Sequence, residues 1–159
     1  MDAEAHALAL GKLLGNLHAL EMALRAYLIN RPEARPVHAQ HGVDFSVLSV
    51  GTELPESDLT SHLYLSELVK SFNRLALEDG TPAIDERVVT LRNTLVHGCV
   101  VGNASSFPVR IVKFSRPHDG KVKIETSQEM TSEWFDSQLR ELWNAISTIA
   151  IKMQARIEA

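Results

Sequence analysis

The stretch LLGNLHALEMALRAYL, residues 13–28, repeats leucine at intervals of three and four residues. This spacing places the leucines on one face of an α-helix, from which they can pack into a hydrophobic core. The stripe consists of Leu13, Leu17, Leu20, Leu24 and Leu28. Asp2 is a typical N-cap, and Pro32 and Pro36 cannot continue a helix. The pattern therefore predicts one long helix over residues 2–29.

A second helix is expected after a long connection over residues 30–56, which contains one short helical turn near DFSVLSV, residues 44–50. Apolar residues at helical spacing predict this helix from Ser57 to Leu77, and the glycine of EDG, residues 78–80, ends it. Its stripe is Leu59, Leu63, Leu68, Phe72 and Leu75.

A third helix is predicted from Thr81, as N-cap, to Gly98. Pro82 suits the first helical position, and a glycine typically ends a helix in the left-handed conformation. The apolar face of this helix consists of Ile84, Val88, Leu91 and Leu95.

The pattern changes after Gly98, where PVRIVKFS and KVKIETS alternate apolar and polar residues around the Asp-Gly of RPHDG. This alternation predicts a β-hairpin, inserted at about residues 107–128. Thr131 or Ser132 then caps a last helix with a wide apolar face. The expected fold is mainly α: an up-down bundle of about four main helices, with the hairpin inserted before the last one.

The composition fits a single globular domain over residues 1–159, with 45% hydrophobic residues, 23% charged residues and a net charge of −4. The acidic balance argues against a broadly basic nucleic-acid surface. Cys99 is the only cysteine, which favours a reducing, cytoplasmic setting. The N-terminus lacks the pattern of a signal peptide, and no apolar run is long enough to span a membrane.

The stretch LRNTLVHG, residues 91–98, carries polar residues beside the core stripe of the third helix. Asn93 and His97 are four residues apart and share a face, and the long Arg92 side chain can swing toward it. An arginine can hold a phosphate, and an imidazole can transfer protons near neutral pH. Together they are the minimum needed to cleave RNA without a metal, by attack of the 2′-hydroxyl on the adjacent phosphorus.

Arg92, Asn93, three further residues and His97 resemble the R-N-x-x-x-H motif of the HEPN superfamily, the "higher eukaryotes and prokaryotes nucleotide-binding" domains. The motif lies near the end of the third long helix, as it does in that family. Many members are metal-independent endoribonucleases of toxin–antitoxin and phage-defence systems. The resemblance implies Arg92, Asn93 and His97 as catalytic residues in a cleft between two copies of the chain, with no cofactor.

The resemblance leaves regulation and activity open. An antitoxin or a nucleotidyltransferase is a possible partner in such systems, but modified HEPN toxins usually carry Tyr two residues after the His, where this chain has Cys99. Some HEPN domains are non-catalytic modules that dimerise or bind a nucleotide or protein, which is the alternative function. The structural alternative is that Arg92 pairs with Glu21 or Glu86 while His97 merely caps the helix end.

Two further groups of residues carry weaker signals. Basic residues make the hairpin a candidate guide for an RNA backbone, and the proposed substrate-binding residues are Arg110, Lys113 and Arg116. A helical turn could also bring His38, His41 and Asp44 together on a metal, but the segment lacks a second ligand cluster, so no metal site is expected.

Overall fold

The computed structural model describes residues 1–29, 49–54, 60–102 and 107–157. This part of the chain is mainly helical with a small antiparallel sheet, as the sequence predicts. The elements, in chain order, are α1 (Ala3–Ile29), α2 (Leu65–Asp79), α3 (Arg87–His97), β1 (Cys99–Val101), β2 (Arg110–Phe114), β3 (Ile124–Glu129) and α4 (Ser132–Ile157).

The first helix confirms its prediction almost residue for residue. Asp2 caps α1, because its Oδ1 accepts a hydrogen bond from the Ala5 N–H at 2.8 Å. All five leucines of the stripe are buried, at 5% exposure or less. They join one hydrophobic cluster that contains residues of all four helices and of β2, including Phe72, whose ring lies 4.9 Å from that of Tyr27.

The second helix begins at Leu65, so its predicted start at Ser57 is wrong for the described residues 60–64, which are not helical. The cause is Arg25 of α1, whose guanidinium donates to the backbone oxygens of Ser61 and Leu63, both at 2.8 Å. These carbonyls are therefore held by a side chain instead of by helical N–H groups. Residues 55–59 lie outside the described part.

The start and end of α2 are both well capped. Tyr64 is extended, with φ −73° and ψ 155°, and its N–H donates to Oε2 of Glu67 at 2.9 Å. Its carbonyl accepts the N–H of Glu67, so the first turn closes on itself. At the other end, Gly80 has φ 70°, which confirms the predicted glycine stop.

The third helix is shorter than predicted, because it begins at Arg87 and not at Thr81 and Pro82. The side chain of Asn73 brackets Ile84: its Nδ2 donates to the Ile84 oxygen at 2.8 Å, and its Oδ1 accepts the Ile84 N–H at 2.7 Å. Both backbone groups of Ile84 are thereby withdrawn from a helix.

The predicted left-handed stop of α3 at Gly98 is also wrong. Gly98 is extended, with φ −81° and ψ 157°, because the chain passes directly from α3 into β1. β1 is a strand that the sequence analysis did not predict.

The predicted hairpin is confirmed and is part of a three-stranded antiparallel sheet in the order β1-β2-β3. β2 pairs with β3 from Arg110 opposite Glu129 to Phe114 opposite Ile124. The turn uses Asp119 and Gly120, with φ values of 51° and 69°, as the Asp-Gly pair predicts. β1 adds to the other edge of β2, with Cys99 opposite Val112.

The last helix is capped by Thr131, whose Oγ1 accepts the Trp134 N–H at 3.1 Å. In the described ranges, no helix has an apolar stretch that could cross a bilayer. The predicted helical turn near residues 44–50 falls largely outside the described residues.

We predict that Arg25→Ala lowers the free energy of unfolding by about 2–4 kcal/mol, because two half-buried backbone carbonyls lose a charged donor. Arg25 itself is only 9% exposed. Urea denaturation measures the change. Arg110→Ala is the control, since its ion pair with Glu129 is exposed and its removal should cost much less. Equal losses in the two variants would contradict the anchoring role of Arg25.

Candidate functional site

Helix α3 separates its apolar and polar residues onto different faces. Val88, Leu91 and Thr94 are buried against the core. Val89, Asn93 and His97 follow each other at intervals of four on a different face, one turn apart. Arg92 and Asn93 are half-buried, and His97 is exposed, so the predicted site residues can be reached from solvent.

Arg92, Asn93 and His97 line one groove of about 260 Å³. The structure therefore brings together the three residues that the sequence singles out. The opposite wall is the first turn of α2, which sequence analysis missed. The remaining lining residues are Tyr64, Leu65, Ser66 and Val89.

The missed wall follows from the wrong start of α2. In a helix that begins at Ser57, Tyr64 and Ser66 would lie in the middle turns and not at its start. The sequence therefore offers no reason to place them beside α3. The one available signal was Glu67, which stands three residues after the true N-cap in the manner of a capping box. Tyrosine is not a usual N-cap residue, so this signal was weak.

The positive charge of Arg92 is not neutralised within the described part of the chain. Its Nη1 donates to Oδ1 of Asn93 at 3.2 Å, which is a neutral acceptor. The alternative pairing with Glu21 does not occur, because Glu21 binds Arg25 at 2.9 Å. No described carboxylate, Glu86 included, forms an ion pair with Arg92.

Arg92 gives the groove its preference for an anion. No carboxylate is among its lining residues. Leu65 and Ser66 occupy the first two positions of α2, where backbone N–H groups have no acceptor inside a helix and the helix dipole is positive. The Glu67 carboxylate, which accepts the Tyr64 N–H at 2.9 Å, offsets the helix dipole at this end, so the net positive charge of the groove comes from Arg92.

A second groove, of about 200 Å³ between α3 and α4, shows the contrast. Its arginine, Arg87, is bound by Asp85 at 2.7 Å and by Glu141 at 3.6 Å. The hydrogen bond from the Arg87 backbone N–H, followed by that from its guanidinium, lowers the pKa of the Asp85 carboxyl. This cation is already compensated by two acids, so its groove lacks the anion preference of the groove at Arg92.

The basic residues of the hairpin do not line the Arg92 groove. Arg110 donates to Glu129 at 2.7 Å and Lys113 to Glu125 at 2.7 Å, so both charges are paired across the strands. Arg116 is exposed near the tip of the hairpin. Of the three, only Arg116 forms no ion pair with a described residue. Their role as an RNA guide stays a prediction.

His6 is the one histidine that is buried in the described part of the chain, and it packs into the core. His6 is 9% exposed and packs between the rings of Phe107 and Phe135, with centroids at 5.6 and 5.4 Å. Burial lowers the pKa of His6, because the core disfavours its charged form. His6 does not line the groove at Arg92.

Within the described ranges, no group of three or more histidine, cysteine or acidic side chains is placed to hold a metal ion. The weak metal candidates His38, His41 and Asp44 lie outside those ranges.

Comparison with known proteins does not identify a family. No protein-family model, no curated protein and no solved structure matches this chain. The HEPN resemblance therefore rests on the motif residues of the sequence.

Gly98 allows the helix that carries the site to turn into the sheet. A Cβ atom at this position would meet the Thr94 carbonyl oxygen and, at 2.8 Å, Cγ1 of Ile111. The Thr94 oxygen also accepts the Gly98 N–H at 2.8 Å, which fixes the approach. Any larger residue must therefore displace either the end of α3 or β2.

We predict that Gly98→Ala lowers the free energy of unfolding by about 1–3 kcal/mol through overpacking. Gly11→Ala is the matched control, because Gly11 lies inside α1 with nothing within 4 Å of an added Cβ. There the same change should raise stability by about 0.5–1 kcal/mol. Urea denaturation of both variants measures the change in the free energy of unfolding. A stabilising Gly98→Ala would show that the close approach of Ile111 leaves room for a Cβ atom at position 98.

Proposed function

We propose that this protein is a metal-independent endoribonuclease of HEPN type. The observation that carries the proposal is the uncompensated cation of Arg92 in the same groove as the exposed imidazole of His97. A phosphodiester supplies the anion that such a groove favours. His97 is exposed, so an RNA strand can reach its imidazole from solvent.

The reaction is an internal transesterification. The ribose 2′-oxygen attacks phosphorus, the bond from phosphorus to the 5′-oxygen of the next nucleotide breaks, and a 2′,3′-cyclic phosphate and a 5′-hydroxyl result. Neutral His97 accepts the proton of the 2′-hydroxyl, and a protonated imidazole donates one to the leaving oxygen. Arg92 binds the phosphate oxygens and stabilises the charge that develops on them. Asn93, which accepts from Arg92, orients the guanidinium.

The proposal includes a homodimer in which two copies of His97 share the roles of base and acid. Apolar side chains exposed beside His97 support this arrangement: Val96 and Val100 are each 53% exposed, and Val101 is 43% exposed. β1 is an edge of the sheet formed by the described strands, and an edge strand can pair with a second chain. Burial of these valines against another copy removes apolar surface from water.

The up-down bundle, the cytoplasmic location and a place in toxin–antitoxin or phage-defence systems belong to the same proposal. The helix content supports the first, and the single cysteine supports the second. The third, together with an antitoxin or nucleotidyltransferase partner, rests on the resemblance of the motif.

We predict that purified protein cleaves RNA in the presence of EDTA and that His97→Ala and Arg92→Ala each reduce cleavage at least about 100-fold, since each removes a group that acts in the transition state. Gel analysis of a mixed RNA substrate measures the rates. Products ending in cyclic phosphate are expected.

His18→Ala and Arg140→Ala are the matched controls, because both residues are exposed and neither lines the groove. They should cleave at the wild-type rate. Equal cleavage by all five proteins would indicate a contaminating nuclease. No cleavage by a folded wild-type protein would refute the enzyme and leave the non-catalytic binding or dimerisation module as the function.

We predict that Val100→Glu converts the homodimer to a monomer, because a buried carboxylate beside its symmetry-related copy is strongly unfavourable. Sedimentation velocity measures the mass. Val122→Glu is the control, since Val122 has the same 53% exposure but lies in the hairpin. A dimer that survives Val100→Glu would place the shared cleft away from Val100. A monomeric wild type would rule out a shared cleft.

A further inference from the structure

Tyr64 presents a large aromatic ring at the edge of the groove. The side chain is 72% exposed and lines the same groove as Arg92 and His97. The ring forms no aromatic pair with any described residue. An exposed ring of this size contributes little to the core and is available to a ligand in the groove.

Capping of α2 does not explain why the residue at position 64 is aromatic. The cap uses the Tyr64 backbone: its N–H donates to Glu67, and its carbonyl accepts the N–H groups of Glu67 at 2.9 Å and Leu68 at 3.1 Å. Any residue in an extended conformation could provide these two backbone groups. The local fold therefore fixes where the side chain at position 64 emerges but does not require it to be aromatic.

We propose that Tyr64 stacks on the base of the nucleotide whose phosphate Arg92 binds. This inference rests on the proposed function and adds to it the residue that recognises the base. Stacking on an aromatic side chain is the general way in which proteins hold a base without reading its sequence. Val89 and Leu65, which also line the groove, add apolar surface beside the ring.

The size of the groove and the need for a free base face together indicate the class of RNA that it binds. Its volume of about 260 Å³ is just below the roughly 300–1,000 Å³ of typical small-ligand pockets, which suits one nucleotide. A base inside an RNA duplex is stacked on its neighbours and cannot also stack on Tyr64. The groove therefore selects an unpaired nucleotide, in single-stranded RNA or in a loop.

The test uses a labelled 2′-O-methyl hexaribonucleotide of mixed sequence, which has no 2′-hydroxyl to attack and is not cleaved. Fluorescence anisotropy gives its Kd for full-length wild type, Tyr64→Leu, Tyr64→Phe and Trp143→Leu. We expect Tyr64→Leu to raise Kd about 5- to 150-fold, the value of one base stack. Tyr64→Phe keeps the ring and should bind as wild type does. Trp143, which is 64% exposed on α4 and outside the groove, is the matched aromatic control.

Two further measurements separate stacking from a general loss of binding. An abasic ribose-phosphate oligomer should bind wild type and Tyr64→Leu equally, because it has no base to stack. An unlabelled hairpin RNA that carries the hexamer sequence in its stem should displace the labelled hexaribonucleotide more weakly than an unlabelled single strand of the same sequence. In cleavage of a natural single strand, Tyr64→Leu should raise KM by the same factor as Kd.

The outcomes distinguish this inference from the proposed function. A Tyr64→Leu protein with unchanged Kd and KM, while wild type still cleaves RNA, overturns the role of Tyr64 alone. An equal loss with the abasic oligomer assigns Tyr64 to the fold of the groove instead of to the base. A duplex that binds as tightly as a single strand overturns the selection of unpaired nucleotides. A folded wild type that neither binds nor cleaves overturns both proposals.

Discussion

The buried guanidinium of Arg25 is the interaction on which the candidate site depends. It links α1 to the segment that precedes α2, through the carbonyls of Ser61 and Leu63. Only 9% of Arg25 is exposed, and the residues whose carbonyls it binds are half-buried. Because this segment is fixed in a non-helical form, α2 starts at Leu65 and its first turn becomes a wall of the groove. The leucine stripe packs α1 into the core, and Arg25 on the same helix fixes the segment before α2.

The second constraint is the direct passage from α3 to the sheet. Gly98 lets β2 approach the last turn of the helix with no intervening loop, since its missing Cβ leaves room for Ile111. His97 consequently stands where a helix ends and a sheet edge begins, with exposed valines on both sides of it. A longer connection would give His97 more freedom and would separate it from the exposed valines of β1, the surface that we propose binds a second copy of the chain.

Charge compensation distinguishes the two grooves that α3 borders. Arg87 lies between Asp85 and Glu141 and serves the fold as part of an ion-pair network. Arg92, five residues later, faces a groove whose lining residues include no carboxylate. Other described cations, Arg116 among them, also form no ion pair within the described ranges, but Arg92 differs from them because it lines a groove together with His97. An arginine that binds phosphate must remain available in this way until its substrate arrives.

The sequence by itself determined the helical class, the buried face of α1, the Asp-Gly hairpin and the shared face of Asn93 and His97. These features depend on residues close in the chain, where helical or strand periodicity decides which side chains meet. Tertiary structure decided the starts of α2 and α3, where Arg25 and Asn73 bind backbone groups that local propensity would have given to helices. It also decided the addition of β1 and the meeting of Tyr64 with Arg92. The side chains concerned are distant in sequence, and only packing of the helices brings them within hydrogen-bonding range or into one groove.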